Sequence, residues 1–118
     1  MTPEARIKKE IVAYLKSLGD KCWWAPYVQN GYGKSGVPDY LVCYRGRFLA
    51  LEVKKEGGKP TPWQTYQIAA IEASLGIAGV VTSAADVRKL LRKIEDRIEA
   101  EAEAVRDVWE AAEACGPR

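Results

Sequence analysis

Asp39, Glu52 and Lys54 are the residues of this chain whose types and spacing could do chemistry together. Two short runs rich in aromatic and branched residues, 40–44 and 47–53, flank the dipeptide Arg45-Gly46. Gly46 tolerates a positive φ, so the dipeptide reads as a two-residue hairpin turn, although Asn-Gly would be a stronger signal. With 45 and 46 as the loop, Tyr44 faces Arg47, and counting back along both strands sets Asp39 opposite Glu52. The strand period of two then puts Lys54 on the same face as Glu52. Two carboxylates facing each other across a ladder repel unless a cation sits between them, and a neighbouring lysine is the second ingredient of a phosphodiester-cleaving site. Such cleavage needs a nucleophilic water, neutralised charge at phosphorus and a stabilised leaving oxygen. Hard divalent cations held by one or two carboxylates plus water and substrate oxygens supply these. On this reading Asp39 and Glu52 are ligands for Mg2+ or Mn2+, and the Val53 carbonyl is available as a third. Lys54 orients or activates the attacking water and offsets transition-state charge. An acid-x-lysine triplet alone occurs by chance in most proteins. The opposed Asp39 is what gives this one weight.

The surrounding elements must position that hairpin. Thr2 and Pro3 suit the cap and first position of a helix, with Ile7, Ile11, Tyr14, Leu15 and Leu18 on one stripe and Gly19 as its end. Glu4 falls within the arc of that stripe, whereas Glu10 lies about 80° from its centre. Glu4 is therefore the inward candidate, able to add a ligand directly or through water, or else simply to meet the helix dipole. Residues 22–28 read as a first strand, with Pro26 marking an edge or a bulge. A polar, glycine-rich loop follows over 29–36. Its Gly33-Lys34-Ser35 is not a nucleotide-binding loop, because Val28 stands where the first glycine belongs and a strand follows instead of a helix. After the hairpin, Thr61 and Pro62 open a second helix that runs to about Leu75 and is closed by Gly76. Gln64 in its first turn is placed to position the lysine or the water. Residues 77–82 form a buried fourth strand, parallel to the hairpin's second strand by the β-α-β rule. Ser83 caps a long helix, expected over about 84–114, of which residues 87–94 dock on the sheet. From Glu95 to Glu113 this helix holds eight acids and two bases, and it is either a solvated tail or half of a dimer interface around Val105, Val108 and Trp109.

Composition narrows the chemistry. At 118 residues, with no internal repeat or linker, one domain is expected over 1–118, with its core at 4–94. The net charge is only +2, but residues 1–85 carry 11 Lys/Arg against 7 Asp/Glu and residues 86–118 carry 7 against 9. The half that holds the hairpin is thus the basic one, a mild pointer to an anionic substrate. There is no histidine, which removes Ser-His-Asp and Cys-His catalysis and histidine-based zinc sites. Three cysteines without paired spacing argue against a disulfide framework. Cys43, inside an apolar strand, reads as a small buried hydrophobe. Neither a signal peptide nor a membrane span is recognisable, and a reduced, cytoplasmic location is expected, a phage-infected host included.

Gly36-Val37-Pro38-Asp39, Glu52-Val53-Lys54 and Pro62-Trp63-Gln64, in this order, resemble the PD-(D/E)XK nuclease superfamily and, within it, the VRR-NUC family of virus-type replication-repair nucleases. The likeness covers residues 4 to about 94. It implies an α/β fold with an α-β-β-β-α-β core, a mixed sheet flanked by helices, here followed by a long C-terminal helix. It also implies a metal site at Asp39, Glu52 and the Val53 carbonyl, Lys54 as catalytic lysine, Gln64 on the following helix, and an N-terminal glutamate that aligns better with Glu4 than with Glu10. Small stand-alone members resemble phage proteins that dimerise and cut branched DNA such as Holliday junctions. The expectation is therefore a homodimeric, metal-dependent DNA endonuclease. Lys34, Arg45, Arg47, Lys55 and Lys59 are candidates for phosphate contacts. Two rivals are weaker. A restriction-type or exonuclease activity lacks an obvious target-recognition insert, and a silent DNA-binding module would not need the intact Asp-Glu-Lys set.

Overall fold

Arg45 and Gly46 both adopt positive φ, 49° and 80°, the combination a type I′ turn demands. The strands on either side, β2 (Tyr40–Tyr44) and β3 (Arg47–Val53), pair antiparallel with Tyr44 opposite Arg47 and Tyr40 opposite Leu51. The register is the one the turn arithmetic requires. The computed structural model describes residues 1–116. Strand β1 (Cys22–Pro26) adds to β2 antiparallel, and β4 (Ile77–Val81) adds to β3 parallel, giving the order β1-β2-β3-β4. Pro26 lies on an edge strand, where a missing N–H is tolerated.

The helices begin where local chemistry satisfies their first N–H groups. In α1 (Pro3–Ser17) the Thr2 hydroxyl accepts from the Ala5 N–H at 3.1 Å. Helix α2 (Pro62–Ala73) opens with a reciprocal capping box: the Gln64 N–H donates to Thr61 Oγ1 and the Thr61 N–H donates to Gln64 Oε1. Helix α3 (Ala84–Cys115) is capped by Ser83, whose hydroxyl accepts from the Asp86 N–H. Asp86 in turn accepts from the Thr82 N–H and hydroxyl, both at 2.8 Å, and these bonds hold its carboxyl below the usual range.

The five residues from Leu49 to Val53 are all buried, so β3 is covered on both faces. Leu49, Leu51 and Val53 join Tyr40 and Val42 in the main core with Ile11 and Leu15 of α1 and Val87, Leu91 and Ile94 of α3. Ala50 and Glu52, of opposite parity, point to the other face, where α2 contacts β3 and β4. The first half of α3 is thus a core helix. Its second half projects, exposing Val105, Val108 and Trp109, and the molecule measures 68 Å along its longest axis against 28 and 26 Å across.

Two expectations fail. Cys43 is exposed, not buried. The inward set of β2 is Tyr40, Val42 and Tyr44, and the period of two leaves Cys43 on the open face. Helix α2 turns at Leu75 (φ 69°), not at Gly76. Gly76 is needed for a different reason, because a Cβ there would stand 2.8 Å from Ile71 Cγ2. All three cysteines are free.

Candidate active site

Asp39 immediately precedes β2, and its position is fixed from two sides. The Tyr27 N–H donates to its carbonyl and the Val53 N–H donates to its Oδ2, both at 2.8 Å. Glu52 lies in the neighbouring strand, only 2 % exposed. The Lys54 N–H donates to the Val81 carbonyl at 3.1 Å, so the fourth strand holds the backbone of the lysine. Its ammonium lies 3.7 Å from Glu52 Oε2.

Burial and, after it, the charge of Asp39 push the Glu52 carboxyl up from 4.5 to about 7, with Lys54 opposing and Glu4 adding a small push. Glu4, half-buried, is therefore close enough to act on the site electrostatically, whereas Glu10 is exposed. A residue the sequence reading missed completes the charge pattern: Lys8 Nζ stands 3.5 Å from Asp39 Oδ1. Lys8 follows Glu4 by one helical turn, the only local signal that it faces the same way. Each carboxylate thus has one ammonium beside it.

Asp39 and Glu52 open onto a cavity of about 330 Å³, whose wall includes Tyr27, Ser35, Gly36 and Gln64. The Lys54 ammonium and, more weakly, the Glu4 charge both bear on Glu52. Gln64 combines two positions, since its Oε1 belongs to the capping box while the residue lines the cavity. The loop over 29–36 is tied to α2 where Gln67 Nε2 donates to the Ser35 carbonyl at 3.0 Å.

Gly36 explains why the motif begins with glycine. Its φ is +76°, and a Cβ there would collide with the Trp63 carbonyl and stand 2.7 Å from the Gln64 nitrogen. Gly36→Ala therefore forces the loop and the start of α2 apart. The expected loss is about 2–3 kcal/mol of stability, together with about a hundredfold loss of any cleavage activity through misplacement of the cavity wall. Gly57→Ala is the control, with φ +80° but open space around it, and it carries the conformational cost alone. Urea unfolding of both variants checks this; equal losses would refute the steric argument.

The donor set suits a hard cation. Two opposed carboxylate oxygens, one of them on a group whose ionisation is resisted by its neighbour, match what magnesium or manganese takes from protein. Among the described residues no group of three or more His, Cys, Asp or Glu forms a cage. Of the candidate phosphate-binding residues, Arg45, Lys55 and Lys59 are exposed, on the hairpin turn and on the loop leading into α2. Arg47 pairs with Glu101. Lys34 and Arg47 line a second cavity next to the first.

No protein-family model matches the chain. It is 33% identical over 89 residues, 75% of this chain and 90% of the relative, to "Putative nuclease p44" of Acyrthosiphon pisum secondary endosymbiont phage 1. A solved "VRR_NUC domain" superposes with a TM-score of 0.65 at 31% identity, covering 78% of this chain and 97% of that one. A second, a "VRR_NUC domain protein", matches in fold at 19% identity with a TM-score of 0.59, over 79% and 88% of the two chains. Because the likeness holds in sequence as well as in fold, over nearly the full length of these relatives, the chain belongs to the VRR-NUC family of nucleases.

Proposed function

We propose that the protein is a divalent-metal-dependent DNA endonuclease, acting on branched DNA as a homodimer. The observation that carries the metal-dependent chemistry is the opposition of Asp39 and Glu52 with the Lys54 ammonium 3.7 Å from Glu52. In this reading Asp39, Glu52 and the Val53 carbonyl hold Mg2+ or Mn2+, which supplies positive charge at the scissile phosphate and lowers the cost of ionising water. Lys54 steadies the attacking water and offsets charge as it develops. Gln64 positions groups at the cavity wall, and Glu4 acts on Glu52 from the first helix. Lys34, Arg45, Arg47, Lys55 and Lys59 serve the DNA backbone. Branch preference and dimerisation are supported by the phage origin of the p44 relative and by the exposed Val105, Val108 and Trp109 on the projecting helix.

The test is a cleavage panel with linear duplex, flap and four-way-junction DNA, each with Mg2+, Mn2+ or EDTA. Metal-dependent cutting with preference for the branched forms is expected. Failure to cut any of them with either metal sinks the metal-dependent DNA endonuclease, and equal cutting of linear and branched DNA removes the branch preference. Mass in solution tests assembly: a dimer that becomes a monomer on truncation after Ala100 is expected, and a monomer in both forms discards the dimer.

A further inference from the structure

Leu75 is placed at odds with its residue type. It holds a left-handed backbone (φ 69°) that favours glycine, and its side chain is 84 % exposed. A large apolar side chain at such a strained, solvent-facing position is free to meet a ligand in the groove beside it. Leu75 lines a groove of about 430 Å³ between α2, the start of β3 and α3. The floor is apolar, from Phe48, Ile71 and Ile77, with Phe48 itself 45 % exposed. The polar side chains around it are Lys34, Arg47, Arg97, Gln67 and Ser74, and no acidic residue lines it. Arg47 is neutralised by Glu101, but Lys34 has no ion pair among the described residues and Arg97 only donates to the Leu75 carbonyl at 3.2 Å. Two uncompensated cations therefore stand over an apolar floor.

The groove adjoins the Asp39–Glu52 cavity. Lys34 lines the groove while Ser35 and Gly36 line the cavity, and on α2 Gln64 faces the cavity while Gln67 faces the groove. One residue along the loop and one helical turn along α2 separate the two. On the helix between them Trp63 and Tyr66 form an exposed edge-to-face pair at 5.8 Å. From Thr61 to Ile71 there is no charged side chain, so nothing on that stretch repels a polyanion.

We infer that the groove holds an unpaired nucleotide of the DNA strand whose phosphate lies in the Asp39–Glu52 cavity. The base packs on Phe48 and Leu75, and its phosphate lies against Lys34 and Arg97. An apolar floor under a cationic rim matches the two halves of a nucleotide, and duplex with every base stacked cannot fill it. The inference rests on the nuclease reading and adds a preference for substrates with a free or unstacked base beside the cut.

Leu75→Gly tests it cleanly, because glycine relieves the backbone strain and deletes the contact. The thermal midpoint should rise. Anisotropy titration in EDTA, with a fluorescein-labelled 20-mer single strand, a gapped duplex and a blunt duplex, separates binding from cleavage. Affinity for the first two should fall about fivefold or more, and that for the blunt duplex should change less than twofold. Arg97→Gln should weaken binding in the same order and flatten its salt dependence. Unchanged affinity of Leu75→Gly for unpaired DNA overturns the inference while leaving the nuclease reading intact. Loss of dimer mass with unchanged DNA affinity overturns it in favour of a second copy of the chain as occupant. A wild type that binds no DNA and cuts none removes both readings at once.

Discussion

Lys54→Ala should lower DNA cleavage about a thousandfold, from removal of one preorganised cation and its proton-handling role, with DNA binding in EDTA changed less than threefold. The backbone of residue 54 is held by the Val81 carbonyl and not by its own side chain, so the variant should fold. The ammonium is held 3.7 Å from Glu52, beside a proposed metal ligand, so its effect is expected on turnover more than on substrate affinity. Its removal also leaves Glu52 facing Asp39 without its nearest compensating charge, so the residual activity should need a higher pH. Lys54→Arg should rescue poorly, because a planar guanidinium does not fit the space of a compact ammonium. Single-turnover cleavage across pH 6–9 measures the rate loss, the pH requirement and the rescue, and an anisotropy titration in EDTA measures the binding. Retention of more than a tenth of wild-type activity by Lys54→Ala would remove this lysine from the chemistry.

Glu52→Gln should abolish cleavage and yet make the metal-free protein more stable at pH 8. The Glu52 carboxyl is raised in the folded state to about 7, chiefly by burial and then by Asp39, from 4.5 in the free group. A raised acid binds more protons folded than unfolded, so its contribution is intact below about pH 4.5, declines as pH rises, and is lost above about 7. Above pH 7 the wild type therefore carries a penalty on the order of 3 kcal/mol that the amide lacks. Urea unfolding in EDTA at pH 5 and pH 8 should show wild type losing stability relative to Glu52→Gln between the two. Millimolar Mg2+ should restore stability to wild type at pH 8 and do little for the variant, because a ligand stabilises only the state that binds it. Parallel pH profiles for the two proteins would refute the electrostatic account of the pair.

The parts of the site that the sequence made legible are those set by short-range arithmetic. A two-residue turn at Arg45-Gly46 fixes which residues face each other, so Asp39 opposite Glu52 follows by counting, and the caps at Thr2, Thr61 and Ser83 follow from side-chain chemistry within three residues. Lys8 was not legible, because its approach to Asp39 depends on where the first helix crosses the sheet, which no local pattern encodes. Cys43 was misread because a continuous apolar run hides which parity faces the core; Tyr40, Val42 and Tyr44 settle it only once the helices are in place. Leu75 was hidden behind its neighbour. Glycine is the usual left-handed residue at a helix end, but here tight packing against Ile71 claims Gly76, and the turn falls to leucine.

The same counting constrains how the gene can change. Side chains alternate along β2 and β3, so one codon inserted or deleted between positions 40 and 51 reverses the parity of everything beyond it. Either Asp39 or Glu52 would then swing to the opposite face of the sheet, among the leucines of the core, while the composition of the chain barely altered. A paired change, one codon on each side of the turn, keeps the two acids facing. The stretch over 30–32 has no such bookkeeping, and length variation among descendants of this sequence should collect there.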